Sequence, residues 1–373
     1  MIVFIVESYF SERDYLRFGI DILKSRGETV SVWDVSQLSQ KEKRSISSFD
    51  QHIIIQSKAH LKKLTQNLKN VDFVFPVLAL DFRNLYIWRN ISQKTCKLVY
   101  MQLVGIPKLE FKKKGGRLFN FFKNSLNEPL YFLDMLVYRM ARKYFAVRDY
   151  DLYLLAGEKS KQPSFSEDKI IWATSLDYRL FKENPDLGER NHIVFLDEYE
   201  PFHPDFKKYS IKTISPEPYY DELNEFFSFL EKKYELPVVV AAHPHVENLD
   251  LYKKYFNNRK VVSGQTVKLI RDSWAVVAHT STAMQIAMLY ERPIVIITTN
   301  QMNETYKKDH FPSYEIPYGF KLLNISDEKN FSFFDFEENV EGREKYLKDY
   351  TISSKAQAKV AWQIFCDEIN TLK

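Results

Sequence analysis

The sequence predicts an α/β protein built from two domains, each with a parallel sheet. The chain has 373 residues, and a single hydrophobic core seldom serves so many. Short apolar runs typical of buried strands alternate with segments whose apolar residues recur at helical spacing, and this rhythm restarts at residue 192. Hydrophobic residues form 45% of the chain, which excludes an intrinsically disordered protein.

The first half of the chain opens with a strand, the apolar run Ile2–Val6. A helix follows it, and Gly27 is the kind of residue that ends a helix. Strands that alternate with helices are typical of a parallel sheet covered on its faces. Strands are predicted at 2–6, 29–35, 52–55, 73–78, 97–101 and 150–156, and helices at 15–26, 58–67 and 81–92.

The second half repeats the pattern after a polar segment that contains Pro185 and Gly188. We place the domain boundary in that segment, with domains at 1–187 and 188–350. A last helix, predicted at 353–372, lies far from the strands and defines a third segment, 351–373. Strands are predicted at 192–196, 237–242, 260–263, 274–278 and 293–298, and helices at 219–233, 249–256, 267–272 and 282–290.

The net charge and the cysteine content limit the partners and the cellular compartment that can be expected. The net charge of +4 is too small to indicate a nucleic-acid partner, and none is expected. The two cysteines, Cys96 and Cys366, form neither a disulfide framework nor a metal-ligand spacing, so a reducing cytoplasm is predicted. The first residues lack a basic region and a cleavage site, and no run of about 18 apolar residues occurs. We therefore expect a soluble or peripheral protein.

One region could carry the protein to a membrane surface. Lys108–Arg117 reads KLEFKKKGGR, and residues 119–145 combine aromatic and aliphatic side chains with Lys and Arg. One interpretation is an amphipathic helix packed on the core. The other is an interfacial helix that meets anionic lipid at the inner face of the cytoplasmic membrane, or a lipid-linked acceptor, through residues 108–145.

Polar residues cluster directly after three predicted strands of the second domain. These stretches are FLDEYEPFHPD at 195–205, VVVAAHPHVE at 238–247 and VVAHTSTAMQ at 276–285. Ligands of parallel α/β sheets bind at the carboxyl ends of the strands. The sequence therefore predicts a ligand site at these three strand ends.

Two of the three stretches fit an anion. His243 can donate to a phosphate oxygen, and Pro244 would hold the turn after its strand rigid; the plainer interpretation is a strand terminator. Ser281 and Thr282 precede a predicted helix. They can cap it, or the hydroxyls, the backbone N–H groups and the helix dipole can together hold a phosphate.

His243-Pro244, followed 37 positions later by Thr280-Ser281-Thr282, resembles two motifs of bacterial GT-B glycosyltransferases that use CMP-activated acidic sugars. These are the sialyltransferases and Kdo transferases of capsule and lipopolysaccharide assembly, in which both motifs bind the nucleotide phosphate. The resemblance covers mainly residues 192–300. CDP-glycerol polymerising transferases of teichoic acid synthesis have a similar layout, so the donor stays open between the two.

The resemblance implies two Rossmann-like domains that face a cleft, with the acceptor on the first domain and the nucleotide donor on the second. It also implies that the last helix crosses back to the first domain and that no metal is required. The expected activity is transfer of a sugar, such as a nonulosonate or Kdo, onto a capsule, O-antigen or lipooligosaccharide acceptor. The alternative donor class would make the protein a glycerophosphotransferase.

The base that deprotonates the acceptor is open. The resemblance implies an acidic D/E-D/E-G motif in the first domain, and this sequence lacks it. The candidates are the pair Asp197 and Glu198, and Glu7 after the first strand; Asp14 is weaker. His203 is a further candidate for the donor phosphate. The run Gly264-Gln265-Thr266 either lines the nucleotide pocket or is an ordinary turn into a helix.

Two other classes of function remain. His243 and His245, with His279 and Asp197, could build the metal site of a hydrolase, since imidazole and carboxylate are common zinc ligands. The chain could also be a non-catalytic binding protein. A chelator and a nucleotide-binding measurement separate the three classes.

Overall fold

The computed structural model describes residues 1–7, 10–38, 49–107, 137, 140–141, 143–203, 213–305, 308 and 310–372. Within these residues the chain forms two sheets, and every paired strand in each of them runs parallel to its neighbours. The fold-class prediction of two parallel-sheet α/β domains is therefore confirmed.

The N-terminal sheet has seven strands in the described residues, in the order β3-β2-β1-β4-β5-β6-β7. β1 lies at the point where the strand order reverses, because the chain builds outward to β3 on one side and then from β4 to β7 on the other. All five residues of β1 are buried, which its continuous apolar sequence explains. The strands are β1 (Ile2–Val6), β2 (Val30–Asp34), β3 (His52–Ile54), β4 (Phe73–Val77), β5 (Lys97–Gln102), β6 (Leu152–Ala156) and β7 (Ile170–Ala173).

Helices cover both faces of this sheet. One face carries α3 and α4, whose buried residues include Leu61, Ile87 and Trp88. The other face carries α1, α2 and the last helix of the chain. The helices of the N-terminal half are α1 (Glu12–Arg17), α2 (Ile20–Ser25), α3 (Lys58–Gln66), α4 (Leu85–Ser92) and α5 (Leu176–Glu183).

The C-terminal sheet has six described strands in the order β10-β9-β8-β11-β12-β13. Its strand order reverses between β8 and β11. The residues of β8, β9 and β11 are all buried, so these short runs form the centre of a second core. The strands are β8 (Ile193–Leu196), β9 (Val238–Ala241), β10 (Val261–Val262), β11 (Ala275–Ala278), β12 (Ile294–Thr298) and β13 (Leu322–Asn324).

The helices of the C-terminal half are mostly short, and α6 is the exception with 19 residues. Its buried face includes Tyr219, Leu223 and Phe226, which recur at helical spacing. The helices are α6 (Pro216–Tyr234), α7 (Leu249–Tyr252), α8 (Thr266–Asp272), α9 (Met284–Leu289), α10 (Pro312–Tyr318), α11 (Glu328–Phe331) and α12 (Val340–Tyr350).

The last helix, α13 (Ala361–Leu372), completes the core of the N-terminal half, as predicted. Trp362 packs edge-on against Phe4 and Phe75 of the sheet, with ring centroids 5.5 and 5.6 Å apart. The helix begins at Ala361, not at residue 353. The chain first forms an isolated bridge between Ile352 and Thr174, the residue directly after β7, and reaches the helix only after that crossing.

The predicted helix at 15–26 is wrong in one respect, because it is two helices, α1 and α2. Gly19 separates them with φ of +55°. A Cβ atom at Gly19 would lie 2.1 Å from the Trp362 indole, so the break in the helix makes room for the last helix of the chain. The periodicity of the local sequence cannot show this, because the partner lies more than 300 residues away.

Two of the described strands and several of the described helices were not predicted from the sequence. β7 reads IIWA and follows the charged turn Glu167–Lys169, so it is too short and too close to polar residues to show a period. β13 has three residues. The boundary predicted at 187/188 lies in the segment between α5 and β8.

The basic run and most of the predicted amphipathic region at 119–145 lie outside the described residues, so membrane contact by residues 108–145 stays a prediction. Where the chain is described, none of its helices combines the length and apolar character that a bilayer crossing requires.

Candidate functional site

The candidate site lies at the carboxyl ends of β8, β9 and β11, where the strand order of the C-terminal sheet reverses. β8 pairs with β9 on one side and with β11 on the other. Asp197, His243 and His279 follow these strands at or near the same edge of the sheet. In open parallel sheets the crevice at such a reversal is the usual ligand site.

His243 stands at the start of a tight turn. The Val246 backbone N–H donates to the His243 carbonyl at 3.0 Å, and Pro244 and His245 occupy the two central positions. Proline pre-sets the backbone of the first central residue, so Pro244 fixes the turn. The His245 backbone N–H donates to Nδ1 of His243 at 3.3 Å. A neutral ring that accepts at Nδ1 carries its proton on Nε2, which makes Nε2 a donor.

Three histidines meet at this turn. One ring nitrogen from each of His203, His243 and His245 lies within 4.8 Å of the other two. The rings of His203 and His243 have centroids 5.1 Å apart, and Tyr199 lies parallel to His243 at 6.4 Å. The sequence analysis named each histidine, and the structure brings them together.

Asp197 fastens the ends of β8 and β9 together. Its Oδ1 accepts from the Tyr199 backbone N–H at 3.0 Å, and its Oδ2 accepts from the His243 N–H at 3.3 Å and the Tyr252 hydroxyl at 3.0 Å. Asp197 is 5% exposed. Burial raises its pKa to about 6, against the three hydrogen bonds that lower it. The carboxylate therefore holds the His243 turn in place from inside the protein.

Glu198 bridges the reversal point. Its Oε1 accepts from the Thr280 backbone N–H at 2.6 Å, and its Oε2 accepts from the Thr280 hydroxyl at 3.4 Å. A carboxylate thus lies against the turn in which the sequence predicts a phosphate. An incoming anion at this N–H would have to displace Glu198.

The turn at Thr280–Thr282 differs from the prediction in one point. The helix after it begins at Met284, its N-cap is Ala283, and no side chain caps it. Neither Ser281 nor Thr282 is therefore the cap. Ser281 instead accepts at Oγ from the Ala283 N–H at 3.3 Å, which tightens the turn. Since α9 has only six residues, its dipole is a small part of any anion affinity.

Gly264, Gln265 and Thr266 follow β10, the edge strand of the sheet. Gln265 is the N-cap residue of α8 without a side-chain hydrogen bond, and Thr266 is the first helical residue. Gly264 has φ of +72°. β10 pairs with β9 but not with β8, so this segment is one strand further from the reversal point than His243. A role in the nucleotide pocket stays a prediction.

Glu7 lies at the corresponding reversal point of the N-terminal sheet, directly after β1. The Asn84 side chain, which is fully buried, donates to Glu7 Oε2 at 2.6 Å. Asp14 is engaged differently, because its Oδ2 accepts from both the backbone N–H and the hydroxyl of Ser11 in a capping box.

A cavity of about 580 Å³ opens at the carboxyl ends of β1, β4 and β5. Its polar lining includes Asp14, Tyr100, Gln102 and Gln162. A second cavity of about 150 Å³ has a mainly apolar wall and reaches Thr282 and Trp362. Both cavities have the same three residues in their walls: Arg17, Val104 and Leu176. The space at the N-terminal strand ends is thus adjacent to the turn that carries Thr282.

His279 does not join the metal site that the hydrolase hypothesis expects. This side chain is fully buried, its Nδ1 lies 2.7 Å from the Ile297 carbonyl, and its Nε2 lies 2.8 Å from the Tyr219 hydroxyl. Both nitrogens therefore serve the core, and His203 takes the third place in the histidine cluster. Metal-bound histidines usually donate from their second nitrogen to an acceptor, whereas Nδ1 of His243 accepts from a backbone N–H. This bond fits an anion better than a metal.

Three residues that help to form this geometry were not predicted from the sequence. Tyr199 and Tyr252 donate hydrogen bonds to Asp197, and the Tyr199 ring also lies parallel to that of His243. Gln285 lies fully buried in α9, and its only sequence signal is one polar residue within MQIAML. Tyr199 follows the acidic pair at once, whereas nothing in the local sequence around Tyr252 indicates a partner 55 positions away.

No protein-family model and no curated protein sequence matches the chain. Several solved structures match along almost its whole length. A variant of the wall teichoic acid polymerase TagF has a TM-score of 0.58 at 9% identity, over 99% of this chain and 88% of that one. The UDP complex of S. aureus MnaA has a TM-score of 0.53 at 9% identity, over 100% and 96%. A putative UDP-N-acetylglucosamine 2-epimerase from Listeria monocytogenes has 0.51 at 11%, over 100% and 96%.

The chain has the GT-B fold. The likeness to these structures and the two parallel sheets agree on this point, and the predicted crossing of the last helix is part of it. The resemblance stated from the motifs is therefore confirmed at the level of the fold, whereas the sialyltransferase and Kdo-transferase type is not. Because the similar structures include a polymerase and an epimerase, the fold alone does not choose the reaction.

Proposed function

We propose that the protein is a GT-B glycosyltransferase, or a closely related group transferase, that takes its group from a nucleotide-activated donor and passes it to a glycan acceptor. The observation that carries this proposal is the His243 turn. It places an Nε2 donor, flanked by His203 and His245, at the strand reversal of the C-terminal sheet. An imidazole N–H can donate a hydrogen bond to the oxygens on which negative charge develops as the phosphate departs.

The donor class is open between two chemistries. CMP-activated acidic sugars were the first expectation from the motifs. Structural similarity to TagF, one structure of which was soaked with CDPG, supports the CDP-linked alternative. For either class we propose that the nucleotide phosphate lies between the histidine cluster and the Thr280–Thr282 turn, and that the reaction needs no metal.

We assign the general base to Glu7. Asp197 is buried and both of its oxygens accept hydrogen bonds, so it positions the His243 turn and does not reach substrate. Glu198 is engaged by Thr280 on the donor side. Glu7 lies on the opposite sheet and directly follows Val6, which lines the 580 Å³ cavity, and the Asn84 side chain donates to Glu7 Oε2. A base there would face an acceptor hydroxyl held in that cavity.

Calorimetry of CMP, CDP, UDP and GDP in EDTA tests the donor part of the proposal. The wild-type protein should bind a cytidine nucleotide, His243→Ala should lose that binding, and His243→Gln should retain part of it because its amide can still donate. His60→Ala, which changes a histidine on α3 in the other half, is the matched control and should bind like wild type.

The outcomes separate the donor classes. Tighter binding of CMP supports the acidic-sugar donor, and tighter binding of CDP supports the CDP-linked donor. Absence of binding by all four nucleotides to a folded wild-type protein would overturn the proposal. Binding that requires a metal and is lost with EDTA would favour the hydrolase alternative, rebuilt on His203, His243 and His245.

The base assignment has its own test. Glu7→Gln keeps the shape of the side chain and its contact with Asn84 but removes the proton acceptor. Transfer should fall by about a hundredfold or more, while the Kd of the nucleotide stays that of wild type. If Glu198→Gln instead abolishes transfer and Glu7→Gln does not, the base lies on the donor side.

A further inference from the structure

Gln285 is a buried polar residue in an otherwise apolar helix, α9. It is fully buried, and its side-chain amide bonds in two directions. Nε2 donates to the Gly105 carbonyl at 2.9 Å, and Oε1 accepts from the Thr351 hydroxyl at 3.3 Å. A buried amide is retained in a core only when its hydrogen bonds are made, so these partners define where α9 can lie.

Both partners of Gln285 lead to the walls of the acceptor-side cavities. Gly105 directly follows Val104, which lines both cavities. The Thr351 carbonyl accepts from the Ser175 backbone N–H at 2.7 Å, and Ser175 lines the smaller cavity. Gln285 is therefore bonded directly beside Val104 and is connected to Ser175 through Thr351.

The other end of this connection is the turn proposed to hold the donor phosphate. The Gln285 backbone N–H donates to the Thr282 carbonyl at 3.2 Å, so any shift of the turn moves Gln285. α10 makes a parallel connection with two neighbouring residues. The Tyr314 hydroxyl donates to the Thr280 carbonyl at 3.4 Å, and the Ser313 hydroxyl donates to the Pro107 carbonyl at 3.1 Å.

We propose that Gln285 is a positioning residue that couples the occupancy of the Thr280–Thr282 turn to the geometry of segment 103–107, in which Leu103 and Val104 line the acceptor-side cavities. This coupling rests on the proposed function, since it takes a nucleotide at the turn as its input. A ligand at the turn would draw α9 with it, and the Gln285 amide would transmit the shift to the Gly105 carbonyl. Close packing leaves no slack, because a Cβ at Gly105 would lie 2.7 Å from the Tyr350 ring.

Hydrogen–deuterium exchange with CDP and CMP as probes tests the coupling in the full chain. Nucleotide should slow exchange at the turn, in peptides covering 278–286, and also at the distant wall, in peptides covering 98–106. We expect about tenfold slowing at the wall in the wild type, the size of a typical coupling between sites. In Gln285→Met, which keeps the side-chain length but removes the amide, the turn should still respond and the wall should not.

Met288→Leu is the matched control, because it changes a buried residue of the same helix that makes no side-chain hydrogen bond. In this variant, nucleotide should slow exchange in the peptides covering 98–106 as much as it does in the wild type. A wall that responds fully in Gln285→Met, or a wild-type wall that stays unchanged while the turn responds, would overturn the coupling.

Failure of the proposed function looks different, because then neither region of the wild type responds to nucleotide. The connection through Gln285 is then tested by measuring hydrogen–deuterium exchange of the nucleotide-free variants. Gln285→Met must speed exchange at both 98–106 and 278–286, whereas Met288→Leu must not change the two regions together. Equal exchange in the two variants would refute the connection.

Discussion

The two halves of the molecule share a topology but differ at their strand ends. In the C-terminal half the ends of β8, β9 and β11 carry ionisable side chains that are held by hydrogen bonds to backbone and tyrosine. In the N-terminal half the ends of β1, β4 and β5 border a cavity of about 580 Å³. The C-terminal half therefore presents ionisable side chains in fixed positions, and the N-terminal half presents an open cavity.

The halves also differ in how they complete their cores. The C-terminal core contains residues from 193 to 350. The N-terminal core needs α13 from the end of the chain, with Trp362 against Phe4 and Phe75. The proposed donor site therefore rests on its own core, whereas the proposed acceptor side depends on α13, a segment distant in sequence.

The largest effect should come from removing that distant support. Trp362→Ala deletes an indole that is 1% exposed, and such a loss costs about 3–5 kcal/mol of unfolding free energy. Thermal unfolding should show a lowered transition for the N-terminal half, while the Kd for nucleotide stays within about twofold at a temperature where the protein is folded. Phe333→Ala, at a residue 94% exposed, is the control and should change stability by about 0.5 kcal/mol or less. Loss of nucleotide binding in the folded Trp362 variant would contradict the claim that the proposed donor site rests on its own core.

A smaller effect should appear as a pH dependence of the C-terminal half. Burial raises the pKa of Asp197 to about 6, above its ordinary value of 3.8, so the folded protein holds this proton more tightly than the unfolded chain. The free energy of unfolding therefore falls as the pH rises from about 4 to 6, by up to about 3 kcal/mol from this group.

Asp197→Asn removes this titration. Its unfolding free energy minus that of wild type should therefore increase with pH across the same window, as measured by denaturant unfolding at a series of pH values. A difference that is constant with pH would show that Asp197 keeps an ordinary pKa in the folded state.

The smallest effect concerns Glu198, which lies against the Thr280 N–H at 2.6 Å. Glu198→Gln keeps an acceptor for that N–H but removes a negative charge beside the proposed phosphate position. We expect nucleotide to bind about fivefold more tightly, or about 1 kcal/mol, in calorimetry at low salt. The gain should shrink at high salt, because screening weakens the repulsion in the wild type. Weaker binding would instead mean that the charge of Glu198 is needed to hold the turn.

The sequence predicted those parts of the fold whose signal is local. β1, β9 and β11 are short apolar runs, and each predicted strand overlaps an observed one. The break at Gly19 could not be predicted, because its cause is Trp362 at the other end of the chain. The short strands β7 and β13 lack the length that a period of two needs to show.

Part of the candidate site could also be predicted, because its signal is local in the sequence. His243, Pro244 and Asp197 follow strands directly, and parallel topology brings such positions together. The burial of His279 depends on its partners Ile297 and Tyr219, which are distant in sequence. The position of His203 depends on the turn after Asp197, which a hydrogen bond from Tyr252 helps to hold. Gln285 had a local signal, a lone amide in an apolar helix, but its partners at Gly105 and Thr351 did not.

The proposed donor site requires a nucleotide phosphate to bind at the histidine turn, with His243 as an Nε2 donor. Histidine-selective ¹⁵N labelling and NMR titration with CDP and CMP test it directly, because the chain has only eight histidines. We expect His243 to be the neutral Nε2–H form in the free protein and the signals of His203, His243 and His245 to shift together on nucleotide addition. Nucleotide shifts confined to other histidines, or a His243 ring protonated at Nδ1 in the free protein, would contradict it.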